Sequence, residues 1–154
     1  MENYIGVKLI KAEQMTYEKA AILLGFRTDP RVTTESDGYL VQYPDGYLSW
    51  SPKSVFEKAY MKVTPNPKLK TGVSISQQMV NDFIKDIEVT TMGQKNTVVR
   101  VTLVNGFELV ESSACVDPAN YDETIGADIC LEKIKDKIWF LLGFLLQTGV
   151  GGFK

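Results

Sequence analysis

Along Val98–Val104 the apolar residues Val99, Val101 and Leu103 alternate with Arg100 and Thr102, the period of two expected of a half-buried strand. Phe107–Val110 continues the pattern, and Asn105-Gly106 between the runs predicts a hairpin closed by a type I′ turn with positive φ at both residues. From Ile125 the period lengthens. Ile125, Ile129, Ile134, Ile138 and Leu142 recur at helical spacing, with Glu132, Lys133, Lys135, Asp136 and Lys137 between them. Asp117-Pro118 and Asp122-Glu123 each offer an N-cap and negative charge to a helix start. From Ile138 to Leu146 the amphipathic pattern is lost, because Trp139, Phe140, Leu141, Phe144 and Leu145 surround the axis. Such a helix is expected to be buried on every side. A bilayer needs roughly 20 apolar residues, so this run predicts no membrane span. A subunit interface is the expected sink for that surface, with packing on its own hairpin as the alternative.

Upstream, Ile5, Val7 and Leu9 predict a strand over Tyr4–Lys11, and Thr16 and Gly25 bracket a helix over Tyr17–Leu24. A loop over Arg27–Gly38, with turn signals at Asp29-Pro30 and Asp37-Gly38, leads to a second hairpin. Its strands, Tyr39–Tyr43 and Tyr47–Trp50, flank Pro44-Asp45-Gly46. Ser51-Pro52 predicts a capped helix running to about Tyr60, with Trp50 stapled onto Val55. The proline-containing stretch Met61–Gly72 predicts a boundary. Beyond it, a Ser74/Gln77 capping box opens a helix to Ile87 through Val80, Phe83 and Ile84, and a strand follows over Glu88–Met92. The expected fold is α+β: an antiparallel sheet with short helices and a long C-terminal helical segment used for oligomerisation. It divides into a β-rich module at 1–63 and a helix, hairpin and helical module at 72–154, or forms one compact domain.

Composition narrows the chemistry. The chain has no histidine, so a histidine-containing zinc site or a histidine-based triad has neither ligand nor base. Cys115 and Cys130 read as reduced thiols, Met1-Glu2-Asn3-Tyr4 carries no secretory signal pattern, and a net charge of −2 argues against a non-specific DNA or RNA binder. Ser112 and Ser113 have no imidazole to activate them, and Asp82, Asp86 and Glu88 read as solvated surface. No catalytic residue, metal or cofactor is expected.

Arg100 is the residue singled out, because a guanidinium held mid-strand can fork a phosphate or a carboxylate. Charge guarding an edge strand is the equal alternative. With Phe83 as an aromatic face and Lys95, Asn96 and Thr97 as polar neighbours, these residues predict a small nucleotide pocket. Trp50, with Lys62 to Lys70, is the alternative wall.

The block Thr102-Leu103-Val104-Asn105-Gly106-Phe107, then Glu111 to Asp122, Ile125-Gly126 and Trp139, resembles a widespread family of small tailed-phage proteins. Gly38-Tyr39-Leu40-Val41, Tyr43-Pro44-Asp45-Gly46 and Trp50-Ser51-Pro52-Lys53 resemble a second phage module. Their combination is similar to the Thoeris anti-defence family, first member type. That resemblance implies a non-catalytic sponge acting in the cytoplasm of the infected bacterium. It would sequester cyclic ADP-ribose isomers, including glycocyclic ADP-ribose, made by TIR-domain enzymes, as a homodimer or larger homo-oligomer. It also implies an aromatic that stacks a base and basic or amide groups on the wall, mapped to Phe83, Asn96 and Arg100.

Overall fold

The computed structural model describes Met1–Gly25 and Ser36–Lys154. The predicted Asp29-Pro30 turn lies outside the described residues. The chain forms two compact units, Met1–Lys62 with Thr148–Lys154, and Val63–Gln147. The α+β expectation holds: each unit contains a three-stranded antiparallel sheet.

In the first unit the elements are β1 (Lys11–Gln14), α1 (Tyr17–Leu24), β2 (Gly38–Gln42), β3 (Leu48–Pro52) and α2 (Lys53–Ala59), with sheet order β1-β2-β3. Thr16 caps α1 by accepting a hydrogen bond from the Lys19 amide, and Gly25 ends it at φ 71°. The first strand begins later than its pattern suggests, since Tyr4 and Ile5 are 90% and 85% exposed and β1 pairs Lys11 with Gln42. Ser51 and Pro52 extend β3 opposite Tyr39 and Gly38, so α2 starts at Lys53 without a side-chain cap. Trp50 does not staple onto Val55, which is 58% exposed. Its indole N–H instead donates to the Met15 carbonyl at 2.8 Å, and its ring meets Tyr17 edge-on.

The second unit holds α3 (Gln77–Asp82), β4 (Ile84–Met92), β5 (Asn96–Leu103), β6 (Glu108–Ala114) and most of α4 (Glu123–Gly151), with sheet order β4-β5-β6. Val99, Val101 and Leu103 point from β5 to one face, where Cys130, Ile134, Ile138 and Leu142 of α4 complete a core with Met79, Val80 and Phe83. Burying each such aliphatic side chain contributes about 1.5–3 kcal/mol, which makes this the main store of stability in the unit. Helix α3 is shorter than predicted. Ser76, not Ser74, is its N-cap, and from Ile84 the chain leaves helical spacing to form β4, whose backbone pairs with β5. Ser74 instead accepts a hydrogen bond from the Asn66 amide at 3.0 Å.

The Asn105-Gly106 hairpin forms, but not as a type I′ turn, because no non-glycine residue described has positive φ. The Gly106 amide donates to the Leu103 carbonyl, Gly106 sits at φ 84°, and the Phe107 amide donates to Asn105 Oδ1. Pro44-Asp45-Gly46 closes the same way, with Gly46 at φ 87° and Tyr47 donating to Asp45 Oδ1. Both are three-residue loops ending in a glycine bulge.

Helix α4 does not bury itself on all sides within the chain: Phe140 and Phe144 are 75% and 68% exposed, while Ile138 and Leu142 are buried. It continues to Gly151, and the Gly149 carbonyl accepts a hydrogen bond from the Leu9 amide at 2.9 Å. Among the described residues no helix is long and apolar enough to cross a membrane.

Candidate functional site

A concavity in the second unit lies where the start of β5, the end of β6 and the entry to α4 converge. Lys95, Thr97, Ser113, Cys115, Tyr121 and Ile129 are among its walls, and its volume is about 90 Å³. Two local devices bring these segments together. Asp117 caps the 3-10 turn Pro118–Asn120 through the Ala119 amide, and Asp122 caps α4 through the Thr124 and Ile125 amides at 2.8 and 3.1 Å. Each carboxylate satisfies donors that a helix start leaves open, so the connection is held firmly where it turns. Gly126 then lets α4 press onto β5. A Cβ there would lie 2.2 Å from Thr97 Oγ1, closer than any side chain tolerates.

Below this contact runs a chain of hydroxyls. Thr97 Oγ1 is 3.1 Å from the Tyr121 hydroxyl, which is 2.7 Å from Thr91 Oγ1, and Thr91 donates to the Glu123 carboxylate. Thr97 is 1% exposed, so its polar atom needs these partners. Cys130 lies behind it, its Sγ 3.8 Å from the Thr97 carbonyl, and burial pushes its thiol pKa up. Cys115, at the rim, donates to the Asp117 carbonyl at 3.1 Å.

The structure brings Lys95 and Thr97 together in this cleft, with Asn96 between them opening β5. The other predicted residues lie elsewhere. Phe83 is 9% exposed within the hydrophobic core, the ordinary place for a ring at helical spacing. Trp50 belongs to the first unit, against Tyr17. Arg100 lies on the sheet face opposite the core and forks two carboxylates, Glu88 on β4 at 2.5 Å and Glu108 on β6 at 3.3 Å. The Glu88 hydrogen bond, then the charges of Glu88 and Glu108, raise its pKa above the ordinary guanidinium value. Since β5 is the central strand, Arg100 is not an edge guard. It spends its fork on carboxylates from both neighbouring strands.

Sequence reasoning missed Thr91, Tyr121, Glu123 and Gly126 as parts of a site. Tyr121 stands between two capping aspartates in a block whose register only the fold reveals. Among the described residues no three His, Cys, Asp or Glu side chains gather in a way that could hold a metal ion.

Residues 75–150 match the model of the phage protein family described as N4 Gp49/phage Sf6 gene 66. The match supports a phage origin for the chain and takes in every segment that forms the cleft. No curated protein and no solved structure matches it.

Proposed function

We propose that this is a phage-encoded anti-defence sponge that binds cyclic ADP-ribose isomers made by host TIR-domain enzymes and holds them unchanged in the cytoplasm of the infected cell. The observation that carries the reading is the cleft of Lys95, Thr97 and Tyr121, a cation and ordered hydroxyls beside the apolar side chains of Ile125 and Ile129. A few convergent polar groups on a partly apolar wall are what a small-molecule site needs. The sequence resemblance points to the same assignment, and the phage-family match supports a phage origin for the chain. With no histidine in the chain, none of the hydroxyls has an imidazole to activate it, which favours storage over turnover.

At about 90 Å³ the cleft is smaller than the ~300–1,000 Å³ usual for an enclosed ligand. A second copy supplies the remaining wall in this proposal. Ile125 and Ile129 at the cleft are 59% and 44% exposed, and the same helix goes on to Phe140 and Phe144. Covering that stripe in a homo-oligomer would also cover the cleft. Light scattering should show at least a dimer, and Phe144→Asp should give monomers or insoluble protein. A monodisperse monomeric wild type would remove the oligomer from the proposal.

The decisive experiment incubates the protein with extract from cells whose TIR enzyme is active, then denatures it and identifies what is released by mass spectrometry. Recovery of an intact cyclic species is expected. Accumulation of linear ADP-ribose with turnover would make the protein an enzyme. Release of nothing would favour a phage protein whose exposed Phe140 and Phe144 dock a macromolecular partner.

A further inference from the structure

The hydroxyl chain beneath the cleft admits one proton order. A carboxylate offers only lone pairs, so Thr91 gives its single hydroxyl proton to Glu123. Thr91 can then only accept from Tyr121, whose proton is thereby spent. Tyr121 in turn can only accept from Thr97, which spends its proton inward. The result is a polarised line from Thr97 to Glu123. Tyr121 Oη has no proton left for a ligand and retains one lone pair.

The anionic side of the recognition falls to Lys95. The backbone amides at the two turns are taken by Asp117 and Asp122, and Lys95 stands on the wall with Tyr121. A ligand seated here therefore presents a hydrogen-bond donor to Tyr121 and negative charge to Lys95. A phosphodiester lacks the donor, inorganic phosphate carries its P–OH proton and its charge on one small group, and a nucleobase lacks the charge. A sugar hydroxyl carried near a phosphate supplies both.

We infer that the cleft takes the phosphorylated-sugar part of its ligand, with a sugar hydroxyl donating to Tyr121 Oη and a phosphate on Lys95. This rests on the binder reading above and assigns the cleft to the sugar phosphate instead of the base. Thr91, Thr97 and Glu123 are positioning residues, because they act by fixing the Tyr121 proton.

Calorimetric titration of the full chain with ribose 5-phosphate, inorganic phosphate and cyclic ADP-ribose tests this. Ribose 5-phosphate should bind more tightly than inorganic phosphate. Tyr121→Phe removes the acceptor and should weaken ribose 5-phosphate about tenfold, the upper range for one neutral hydrogen bond. Thr97→Val should weaken it too, and Thr97→Ser, which restores the hydroxyl, should recover it. Lys95→Met, a change at an exposed residue, gives a second variant if the buried ones unfold, and should abolish the preference over uncharged ribose. Equal binding of ribose 5-phosphate and inorganic phosphate, or wild-type binding by both Tyr121→Phe and Lys95→Met, would overturn the inference. If cyclic ADP-ribose still bound those two variants, the sponge proposal would survive without it. Binding of ribose 5-phosphate but not cyclic ADP-ribose would have the opposite meaning: the inference would stand and the sponge would fall.

Discussion

The two units solve the same problem with different materials. The second packs most of the 29-residue helix α4 over one sheet face and buries Val99, Val101, Leu103, Ile134, Ile138 and Leu142 to within 2% of full enclosure. The first has strands of four and five residues, and among its described residues few aliphatic side chains are buried, Val41, Ala20 and Ala21 among them. Its described residues also bring aromatic rings together in pairs, two of them stacked and one tilted. Tyr39 and Phe56 lie 4.1 Å apart, Phe56 and Tyr60 5.0 Å, and Tyr43 and Tyr47 5.9 Å. Tyr39 also donates to Glu57, and partial burial, followed by Tyr43, raises the Tyr60 pKa. A small sheet with short helices encloses little aliphatic volume, but half-buried rings remove large areas from water and keep the tyrosine hydroxyls wet.

The comparison is broken most severely by Ile138→Ala. Ile138 is fully enclosed, so the deletion should cost about 2–5 kcal/mol through lost transfer energy and a cavity that the helix and sheet cannot close. Chemical denaturation would measure it. A loss below about 1 kcal/mol would mean that the α4 interface relaxes easily and is not the dominant core.

Gly126→Ala comes next and links the core to the cleft. Its new Cβ would meet Thr97 Oγ1 and Cβ, at 2.2 and 2.7 Å, so α4 must shift or the threonine must rotate away from Tyr121. A cost of about 1–3 kcal/mol is expected, as for overpacking elsewhere. Ligand affinity should fall with it. Unchanged stability and affinity together would show that the approach of α4 to β5 is looser than the geometry requires.

In the first unit, Phe56→Ala removes the ring shared by two stacked pairs. Each pair adds roughly 0.5–1.5 kcal/mol beyond its buried area, so a loss of about 1–3 kcal/mol is expected for the two, less than for Ile138→Ala. A larger cost at Phe56 than at Ile138 would reverse the ranking of the two units.

These contrasts explain what the sequence disclosed. The β5–β6 hairpin and α4 were legible because a strand or helix covered on one face carries its period in its side chains. The β4 strand was misassigned at its start because Val80, Phe83, Ile84 and Ile87 fit helical spacing as well as the real helix-to-strand change, and pairing with β5 decides between them. Of the residues that line the cleft, Lys95 and Thr97 stand out in the sequence by their polarity next to a turn. Phe83 and Arg100 have the chemistry of ligand groups, but burial and the position of Glu88 and Glu108 decide their use, and neither is written in a single strand. Tyr121 was out of reach because its role depends on Thr91 and Thr97, which are 30 and 24 residues away.

The smallest expected effect concerns the rim of the second unit, where α4 meets β6 through charge. Lys137 donates to Glu111, and Lys133 donates to the Ser112 carbonyl at 3.3 Å. The Lys137 hydrogen bond holds the Glu111 carboxyl below its ordinary pKa of 4.5. Because the folded value is the lower one, the pair stabilises the fold above the unfolded-state pKa, and that contribution fades as pH falls through the folded value. Lys137→Met should therefore lower the melting temperature slightly at pH 7, and the gap from wild type should narrow as the pH falls through the lowered folded value of Glu111. Added salt at pH 7 should shrink the same gap, since the pair is partly solvated. A gap that stayed constant across pH and salt would assign the effect to the packing of the lysine stem on the sheet, and would leave apolar contact as the main force joining α4 to β6.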